Sequence, residues 1–327
     1  MKAAVYTNYG PPEVVHVKDD VPKPTPKPNE VLIRVHATTV ASGDSRVRSL
    51  NLPPGFGPFG RLMFGILRPR NHILGTDLAG EIVSVGSAVT KFKPGDKVVA
   101  MSGMSFGSHA EYNKMPENGA MALMPPNLSF QDAAAILFGG TTALSYLKNK
   151  AKILPGESVL IIGASGAVGS AAVQLAKNHF GATVTGVCST SNVDLVKSLG
   201  ADAVIDYKTE DFTKNGKVYD VIMDTIGVAS FSECKNSLNN KSGRLLLVAA
   251  GLPQMLSIPW RSLTSSIKVI AGPSDENAET VQAVADLAEA GKFKPVVSQT
   301  FPLGRIVEAH TVVDSGRKVG NIVILIE

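Results

Sequence analysis

Two short stretches of the sequence combine residue types that can do chemistry. In LIIGASGAVGSAAVQLAK, Gly163, Gly166 and Gly169 leave an apolar run and enter a segment with helical spacing. A strand, a tight turn and a helix N-terminus together present backbone N–H groups to a pyrophosphate, so the stretch predicts a dinucleotide site. Gly163 would permit the turn, Gly166 would let phosphates approach the backbone, and Gly169 would let helix and strand pack closely. Because the spacing is GxxGxxG rather than GxGxxG, glycines that only shape a strand–helix corner are the alternative.

The second stretch is GTDLAG, residues 75–80, where Asp77 is a lone carboxylate among glycines. A catalytic zinc needs several protein ligands, and few are offered here. The two cysteines, Cys188 and Cys234, belong to no CxxC or Cys/His spacing, and the six histidines form no HExxH motif. We therefore predict no metal site. GTDLAG is interpreted as a turn before the strand EIVSVG, with Asp77 hydrogen-bonded locally.

The bulk composition narrows the class of protein. The 327 residues are 44% hydrophobic and 18% charged, as in an ordinary globular protein of about two domains. A net charge of +4 without Lys/Arg blocks favours neither nucleic acid nor a membrane surface as a partner. No run reaches the roughly 20 apolar residues of a transmembrane segment, and MKAAVYTNYG does not have the pattern of a signal peptide. The low cysteine count favours a reduced, cytoplasmic location.

The elements that position these residues fall into two parts, and the predicted fold class is α/β. Residues 1–125 are β-rich, because runs such as VLIRVHA, EIVSVG and DKVVAM are separated by proline and glycine. Residues 126–291 alternate apolar strands with helical segments, a βαβ series that predicts a doubly wound parallel sheet. Residues 292–327 end in a helix and a strand, and we expect them to return to the first part.

The choice between NADH and NADPH depends on the loop after the strand that follows the glycine stretch. An acidic residue there favours NADH, but this loop has the sequence CSTSN, residues 188–192. The side chains of Ser189, Ser191 and Asn192 can donate to a 2′-phosphate, so the sequence favours NADPH. Tyr207 or Lys208, after the next strand, could add an aromatic face or a positive charge. An ordinary polar loop is the alternative.

Together these features resemble the medium-chain dehydrogenase/reductase superfamily along nearly the whole chain. The matching segments are MKAAVYTNYG, EVLIRVHA, GTDLAGEIVSVGSAVTKFKPGDKV, HAEY, GGTTALSYL, GASGAVG, LGADAVIDY, YDVIMDTIG and SGRKVGNIVI. The resemblance implies a GroES-like β-rich catalytic domain (1–125, completed by 292–327) and a Rossmann NADP-binding domain (126–291). Zinc alcohol dehydrogenases of the superfamily have His-Glu where Thr76 and Asp77 stand, and a cysteine in the segment that is TTVASGDSR here. The chain is therefore similar to the zinc-free quinone oxidoreductase and enone reductase branch.

That branch implies transfer of hydride from NADPH to a quinone or to the C=C bond of an α,β-unsaturated carbonyl, without zinc. The alternatives are an alcohol dehydrogenase-like enzyme and a dinucleotide-binding protein with little catalysis. By resemblance, the cofactor-binding residues are Thr142, Gly163, Ser165, Gly166, Ala167, Val168, Ser189, Asn192, Tyr207, Ala249, Ala250 and Gly251. A homodimer through the edge segment SSIKVIAG, residues 265–272, is also implied.

The substrate side follows the family pattern only in part. The family's Asn-Pro-x-Asp is replaced by Ala41-Ser42-Gly43-Asp44, so no proton donor is assigned and the catalytic residues are unknown. Asp44 is either a cleft residue or a cap for the segment SRVRSL. A Gly/Pro/aromatic insertion, residues 50–72, stands where the family's substrate cleft is bordered, and it either lines that cleft or packs on its own domain. The candidates for contact with an apolar carbonyl or quinone are Ser42, Asp44, Phe56, Phe59, Met63 and Phe64.

Overall fold

Two large β-sheets form the frame of the protein. The computed structural model describes residues 1–326, and of residues 261–264 only the backbone. The first part of the chain contains β1 (Ala3–Tyr6), β2 (Val15–Lys18), β3 (Glu30–Thr39), α1 (Ser42–Ser49), α2 (Gly57–Phe64), β4 (Asp77–Val85), β5 (Lys97–Met101), β6 (Tyr112–Pro116) and β7 (Ala120–Leu123). The second part contains α3 (Phe130–Ala135), α4 (Leu137–Leu144), β8 (Ser158–Ile162), α5 (Ala167–Asn178), β9 (Thr183–Cys188), α6 (Val193–Ser198), β10 (Ala203–Asp206), β11 (Val221–Asp224), α7 (Phe231–Cys234), β12 (Arg244–Leu247), α8 (Leu252–Thr264), β13 (Lys268–Ala271) and α9 (Ala278–Glu289). The C-terminal tail adds β14 (Val297–Pro302), α10 (Ile306–Asp314) and β15 (Asn321–Leu325).

The first sheet is assembled from both ends of the chain. Its strands run in the order β14-β15-β3-β4-β5-β7, and β6 also pairs with β3. The alternating residues Val31, Ile33 and Val35 of β3 share one buried core with Ile322 and Ile324 of β15, as the two-residue period of a strand requires. The tail therefore returns to the first part of the chain. The residue limits of the two domains stay predictions.

The structure corrects one local prediction. GTDLAG is not a turn that precedes a strand, because β4 already begins at Asp77 and pairs with both β3 and β5. Only Gly75, with a φ of +91°, has the conformation of a turn residue. Two glycines suggested a loop, but Gly80 lies inside β4, where a Cβ would come within 2.2 Å of the Arg34 carbonyl oxygen. Strands that pass this closely need glycine.

The second sheet is parallel and has six strands in the order β10-β9-β8-β11-β12-β13. β8 is the first strand of this sheet along the chain; β9 and β10 extend the sheet on one side of it, and β11, β12 and β13 extend it on the other. The same reversal of strand order occurs in doubly wound folds that bind dinucleotides. The predicted α/β fold class, a β-rich GroES-like domain with a Rossmann domain, is confirmed. Within the described residues, no helix is long and apolar enough to span a bilayer.

Candidate cofactor and substrate site

The glycine turn between β8 and α5 has the geometry that its sequence predicts. Gly163 has a φ of +77°, and a Cβ there would lie 2.7 Å from Thr225 Oγ1. A Cβ on Gly169 would lie 2.0 Å from the Gly163 carbonyl oxygen, so α5 can approach the turn only with glycine at that position. Both glycines are therefore required by the local packing.

Gly166 differs from its two neighbours in the motif. It caps the N-terminus of α5, and the nearest atom to a Cβ at this position would be the Gly163 carbonyl oxygen at 3.4 Å, an ordinary contact. The packing within the protein does not explain this glycine, whereas close approach of a ligand to the backbone would. The positive end of α5 lies at this position, and no side chain caps it, which suits an anion.

Helix α4 closes one side of the turn. A Cβ on Gly139 would come within 2.3 Å of the Ala167 carbonyl oxygen, so α4 packs directly against the first turn of α5. Thr142 lies on the same short helix and is 6% exposed. Ala167 and Val168 are buried at the start of α5. The contact places the predicted residue Thr142 close to the glycine turn.

A polar loop after β9 is hydrogen-bonded to the glycine turn. Asn192 Nδ2 donates to Ser165 Oγ over 3.0 Å and to Ser189 Oγ over 3.2 Å. Ser189 Oγ also lies 3.2 Å from Ser191 Oγ. The predicted pyrophosphate and ribose residues are thus brought together at the carboxyl ends of β8 and β9, where ligands of doubly wound sheets bind.

The structure adds one carboxylate that the sequence had not assigned to this end of the site. Thr190 Oγ1 donates to Asp206 Oδ2 over 2.6 Å, and the Lys208 N–H donates to Asp206 Oδ1 over 3.0 Å. The hydrogen bond from Thr190 is the largest cause that lowers the pKa of Asp206, so this group is ionised at neutral pH. Tyr207 follows it and is 61% exposed. A negative charge therefore accompanies the polar loop.

The turn after β12 reaches across to the first domain. Ala249 and Ala250 lead into Gly251, whose N–H donates to Gln254 Oε1 over 3.0 Å. The Leu252 N–H donates to the Pro54 carbonyl oxygen over 2.8 Å. The predicted nicotinamide turn at 249–251 is thereby joined to the start of the 50–72 insertion.

The C-terminal tail also touches the glycine turn, and it brings a lysine that the sequence did not single out. The Gly320 N–H donates to the Ser165 carbonyl oxygen over 2.8 Å. Lys318 Nζ donates to the Gly320 carbonyl oxygen over 2.8 Å. Burial lowers the pKa of Lys318 to about 8, while the nearby Asp77 opposes that shift. Lys318 occurred in the matched segment SGRKVGNIVI, but a lone lysine in a surface-like sequence gave no signal of burial.

Asp77 is fully buried and is already engaged by protein donors. Its carboxylate accepts hydrogen bonds from the Thr39 N–H over 2.9 Å and from Thr39 Oγ1, which lies 2.9 and 2.8 Å from the two oxygens. Burial raises the pKa of Asp77 to about 7, against the lowering effect of the Thr39 hydrogen bonds. The partner is 38 residues away in sequence, so the expected local hydrogen bond is instead a contact across two strands.

The neighbourhood of Asp77 offers no ligand set. Within residues 1–326, no cluster of three or more His, Cys, Asp or Glu side chains could hold a metal ion. Cys188 and Cys234 are both buried and free, and burial raises the pKa of their thiols to about 11 and about 12. Thiols in that state are poor metal ligands and poor nucleophiles.

Asp44 holds the backbone around it in place. It is fully buried, its Oδ2 accepts from the Ala41 N–H over 2.8 Å, and its Oδ1 accepts from the Gly75 N–H over 2.9 Å. The first bond caps α1, and the second ties that helix to the turn before β4. Of the two roles considered for Asp44, the geometry matches the cap. Ser42, next to it in the candidate set, is exposed.

The insertion residues do not act as one group. Phe56 is half-buried, and Phe59 and Met63 are exposed. Phe64 packs edge-on against Phe106, with ring centroids 6.2 Å apart. Met63 and Phe64 also line a cavity of about 190 Å³ together with Tyr6, Val47, Arg70, Asn71, Met104 and Phe106, all from the first domain. This cavity does not include the glycine turn, and neither Phe56 nor Phe59 lines it.

The chain matches two sequence families that occur together in one class of enzyme. Residues 27–126 match the family described as "Alcohol dehydrogenase GroES-like domain", and residues 199–324 match "Zinc-binding dehydrogenase". The fold and the glycine turn define the same class, and the chain belongs to the medium-chain dehydrogenase/reductase superfamily.

Individual relatives place the chain within that superfamily. It is 35% identical to "Quinone-oxidoreductase homolog, chloroplastic" of Spinacia oleracea, over 99% of this chain and 98% of the relative. It is 34% identical to "2-methylene-furan-3-one reductase" of Solanum lycopersicum, over 99% of this chain and 79% of the relative. The solved Escherichia coli quinone oxidoreductase complexed with NADPH superposes with a TM-score of 0.83 at 25% identity, covering 99% of this chain and 100% of that one. The chain belongs to the quinone oxidoreductase-like branch and is an NAD(P)H-dependent oxidoreductase.

Proposed function

We propose that the protein uses NADPH to reduce a quinone or the C=C bond of an α,β-unsaturated carbonyl, without a metal ion. The observation that carries the proposal is the hydrogen-bonded unit of Ser165, Ser189 and Asn192 at the glycine turn. It joins a phosphate-binding helix N-terminus to a set of neutral donors for the ribose end. The NADPH-bound quinone oxidoreductase and the furanone reductase among its relatives support the same reaction class.

The bound dinucleotide would supply a hydride, and the protein's own groups bind and orient it. The first-turn N–H groups of α5 at Ala167 and Val168 would hold the pyrophosphate, with Gly166 leaving room for it. Thr142 and the 249–251 turn would flank the nicotinamide. Lys318, fixed beside Gly320, adds a positive charge on the same side of the turn.

Reduction without a metal is consistent with the chemistry of the acceptor. A quinone or an enone is already polarised by its conjugated carbonyl, so positioning and a hydrogen bond to the developing oxyanion can suffice. Zinc-dependent members of the superfamily have a zinc ligand at the position of Asp77. In this protein the Asp77 carboxylate accepts hydrogen bonds from Thr39. The proposal of zinc independence rests on these hydrogen bonds and on the types of side chain that surround Asp77.

The preference for NADPH over NADH is set by two opposing features. Ser189 and Asn192 can donate to a 2′-phosphate, whereas the ionised Asp206 beside Thr190 would repel it. We expect the donors to prevail, because Asp206 is partly exposed to solvent and its charge is screened. Asp206→Asn should then lower the KM for NADPH by about threefold and leave that for NADH unchanged. An equal change for both cofactors would show that this carboxylate does not sense the 2′-phosphate.

The function is tested by a panel of acceptors. Oxidation of NADPH is followed with 1,4-naphthoquinone, a set of alkenals and a set of cyclic enones. We expect turnover on at least one acceptor class, and its loss in Gly166→Val, where side-chain bulk faces the phosphate position while the turn itself can still form. A protein that binds NADPH but oxidises it with no acceptor would defeat the proposal.

A dinucleotide-binding protein with little catalysis is the second candidate, and one observation favours it. Asp44 is the aspartate that the chain shares with the family's Asn-Pro-x-Asp pattern, and its carboxylate accepts two backbone hydrogen bonds as a helix cap. No proton donor is assigned. The acceptor panel separates the two, because this candidate predicts binding without turnover. An alcohol dehydrogenase-like enzyme would instead reduce NAD with simple alcohols and require zinc.

Two further proposals concern assembly and location. β13 is an edge strand of the parallel sheet, so a second copy could pair along Lys268–Ala271 to form a homodimer. Sedimentation velocity would show a single dimeric species, and a monomer at high concentration would contradict it. The cytoplasmic location also remains a proposal, which fractionation of the source cells would test.

A further inference from the structure

A concentrated group of apolar side chains faces solvent on the 50–72 insertion. Phe59, Leu62, Met63, Ile66 and Leu67 are 55, 61, 40, 59 and 87% exposed, and all fall within nine residues of sequence. Single exposed apolar residues are normal on a protein surface, but a contiguous set marks a contact with something else. The set covers the outer face of α2 and the turn that follows it.

Positive charge surrounds this set. Arg61, Arg68 and Arg70 are exposed in the same segment, and residues 45–76 contain no Asp or Glu. Arg61 Nη1 donates to the Ile66 carbonyl oxygen over 2.9 Å, and Arg70 Nη1 lies 3.4 Å from the Met63 carbonyl oxygen. The two guanidinium groups are thereby held next to the apolar side chains. We call these eight residues, Phe59, Arg61, Leu62, Met63, Ile66, Leu67, Arg68 and Arg70, the apolar–basic patch.

The patch is poorly suited to the protein's own interior or to another copy of the chain. Leu62, Ile66 and Leu67 are exposed, and none of the three lines the cavity to which Met63 and Phe64 contribute. A symmetric contact between two copies would place the three arginines of one patch against those of the other, which is repulsive.

We propose that the apolar–basic patch docks on the surface of an anionic phospholipid bilayer. The apolar tips would enter the boundary between headgroups and acyl chains, and the guanidinium groups would pair with lipid phosphates. Interfacial helices combine these two features, an apolar face and flanking Lys/Arg. The segment is far too short to span the bilayer, so the contact is peripheral and reversible. The proposal does not depend on which acceptor the enzyme reduces.

The test is flotation of the full-length protein with phosphatidylcholine vesicles that contain either no phosphatidylglycerol or about 30% of it. We expect flotation with the anionic vesicles, little with phosphatidylcholine alone, and release as salt is raised to about 0.5 M. Arg68→Gln should weaken binding about fivefold, the equivalent of one surface charge. Arg68 is the cleanest charge to remove, because within the described residues no hydrogen bond is found for its guanidinium group.

The apolar contribution has a matched control. Leu62 and Leu154 are both 61% exposed, but Leu154 lies in the second domain, outside the patch. Leu62→Ser should weaken vesicle binding about tenfold, whereas Leu154→Ser should bind as the wild type does. Unchanged thermal unfolding in both variants shows that neither change acts through folding.

Three results would overturn the proposal. The first is absence of flotation with the anionic vesicles at low salt. The second is equal loss of binding in Leu62→Ser and Leu154→Ser. The third is a self-association that Leu62→Ser abolishes while vesicle binding stays unchanged, which would assign the patch to a second copy of the chain.

Discussion

Replacing Asp77 by Asn should change how the stability of the protein depends on pH. The carboxylate is fully buried, and burial raises its pKa from 3.8 to about 7. In the unfolded chain the group loses its proton near the ordinary value, while the folded protein retains it to higher pH. The folded state therefore binds more protons across this interval, and wild-type stability falls as the pH rises from about 4 to about 7.

The size of the effect follows from the two pKa values. Their separation corresponds to about 4 kcal/mol of unfolding free energy, of which roughly 2 kcal/mol is already lost at about pH 5. Asn has the same shape, can still accept from Thr39, and does not titrate. Asp77→Asn should therefore gain about 2 to 3 kcal/mol on the wild type between about pH 5 and about pH 7.5.

Urea denaturation of both proteins at a series of pH values measures this gain. Asp19→Asn is the matched control, because Asp19 is exposed, and its difference from the wild type should not vary in the same way. A stability difference between Asp77→Asn and the wild type that stays constant with pH would refute the reasoning. It would mean that the carboxylate is ionised throughout, as a metal ligand would be.

Three other substitutions test the site. Gly169→Ala should abolish measurable NADPH binding in a fluorescence titration, because a Cβ would lie 2.0 Å from the Gly163 carbonyl oxygen, and normal affinity would show that α5 can shift. Asp44→Ala should lower the unfolding free energy by about 3 kcal/mol, because two buried backbone N–H groups lose their carboxylate acceptor. At low temperature, where the variant is folded, kcat should be unchanged. A loss of kcat in the fully folded variant would instead make Asp44 catalytic. Lys318→Met should raise the KM for NADPH about fivefold and leave kcat unchanged, because the positive charge near Ser165 is removed. An unchanged KM would place Lys318 outside the cofactor site.

The glycine turn could be predicted from sequence because its determinants are local. Gly163 is required by the positive φ of the turn itself, and Gly169 by an atom of the same strand–turn–helix unit. The alternation of strands and helices indicated the sheet around them. The same holds for the polar loop at Ser189 and Asn192, which follows directly on a strand of that sheet.

Contacts between distant segments could not be predicted in the same way. The partner of Asp77 is Thr39, and its position in a strand rather than a turn depends on pairing with β3 and β5. Lys318 acquires its burial only when the tail returns to the glycine turn. Asp206 joins the polar loop because β10 lies beside β9, which sequence spacing alone does not reveal.

Our central proposal is that this chain transfers hydride from NADPH to a conjugated acceptor without a metal ion. The most direct measurement is the steady-state rate of NADPH oxidation with the best acceptor of the panel, before and after treatment with a chelator, with the metal content of the same samples determined. We predict an unchanged rate in protein that contains far less than one metal ion per chain. A rate that disappears with the chelator and returns only when zinc is added would contradict it.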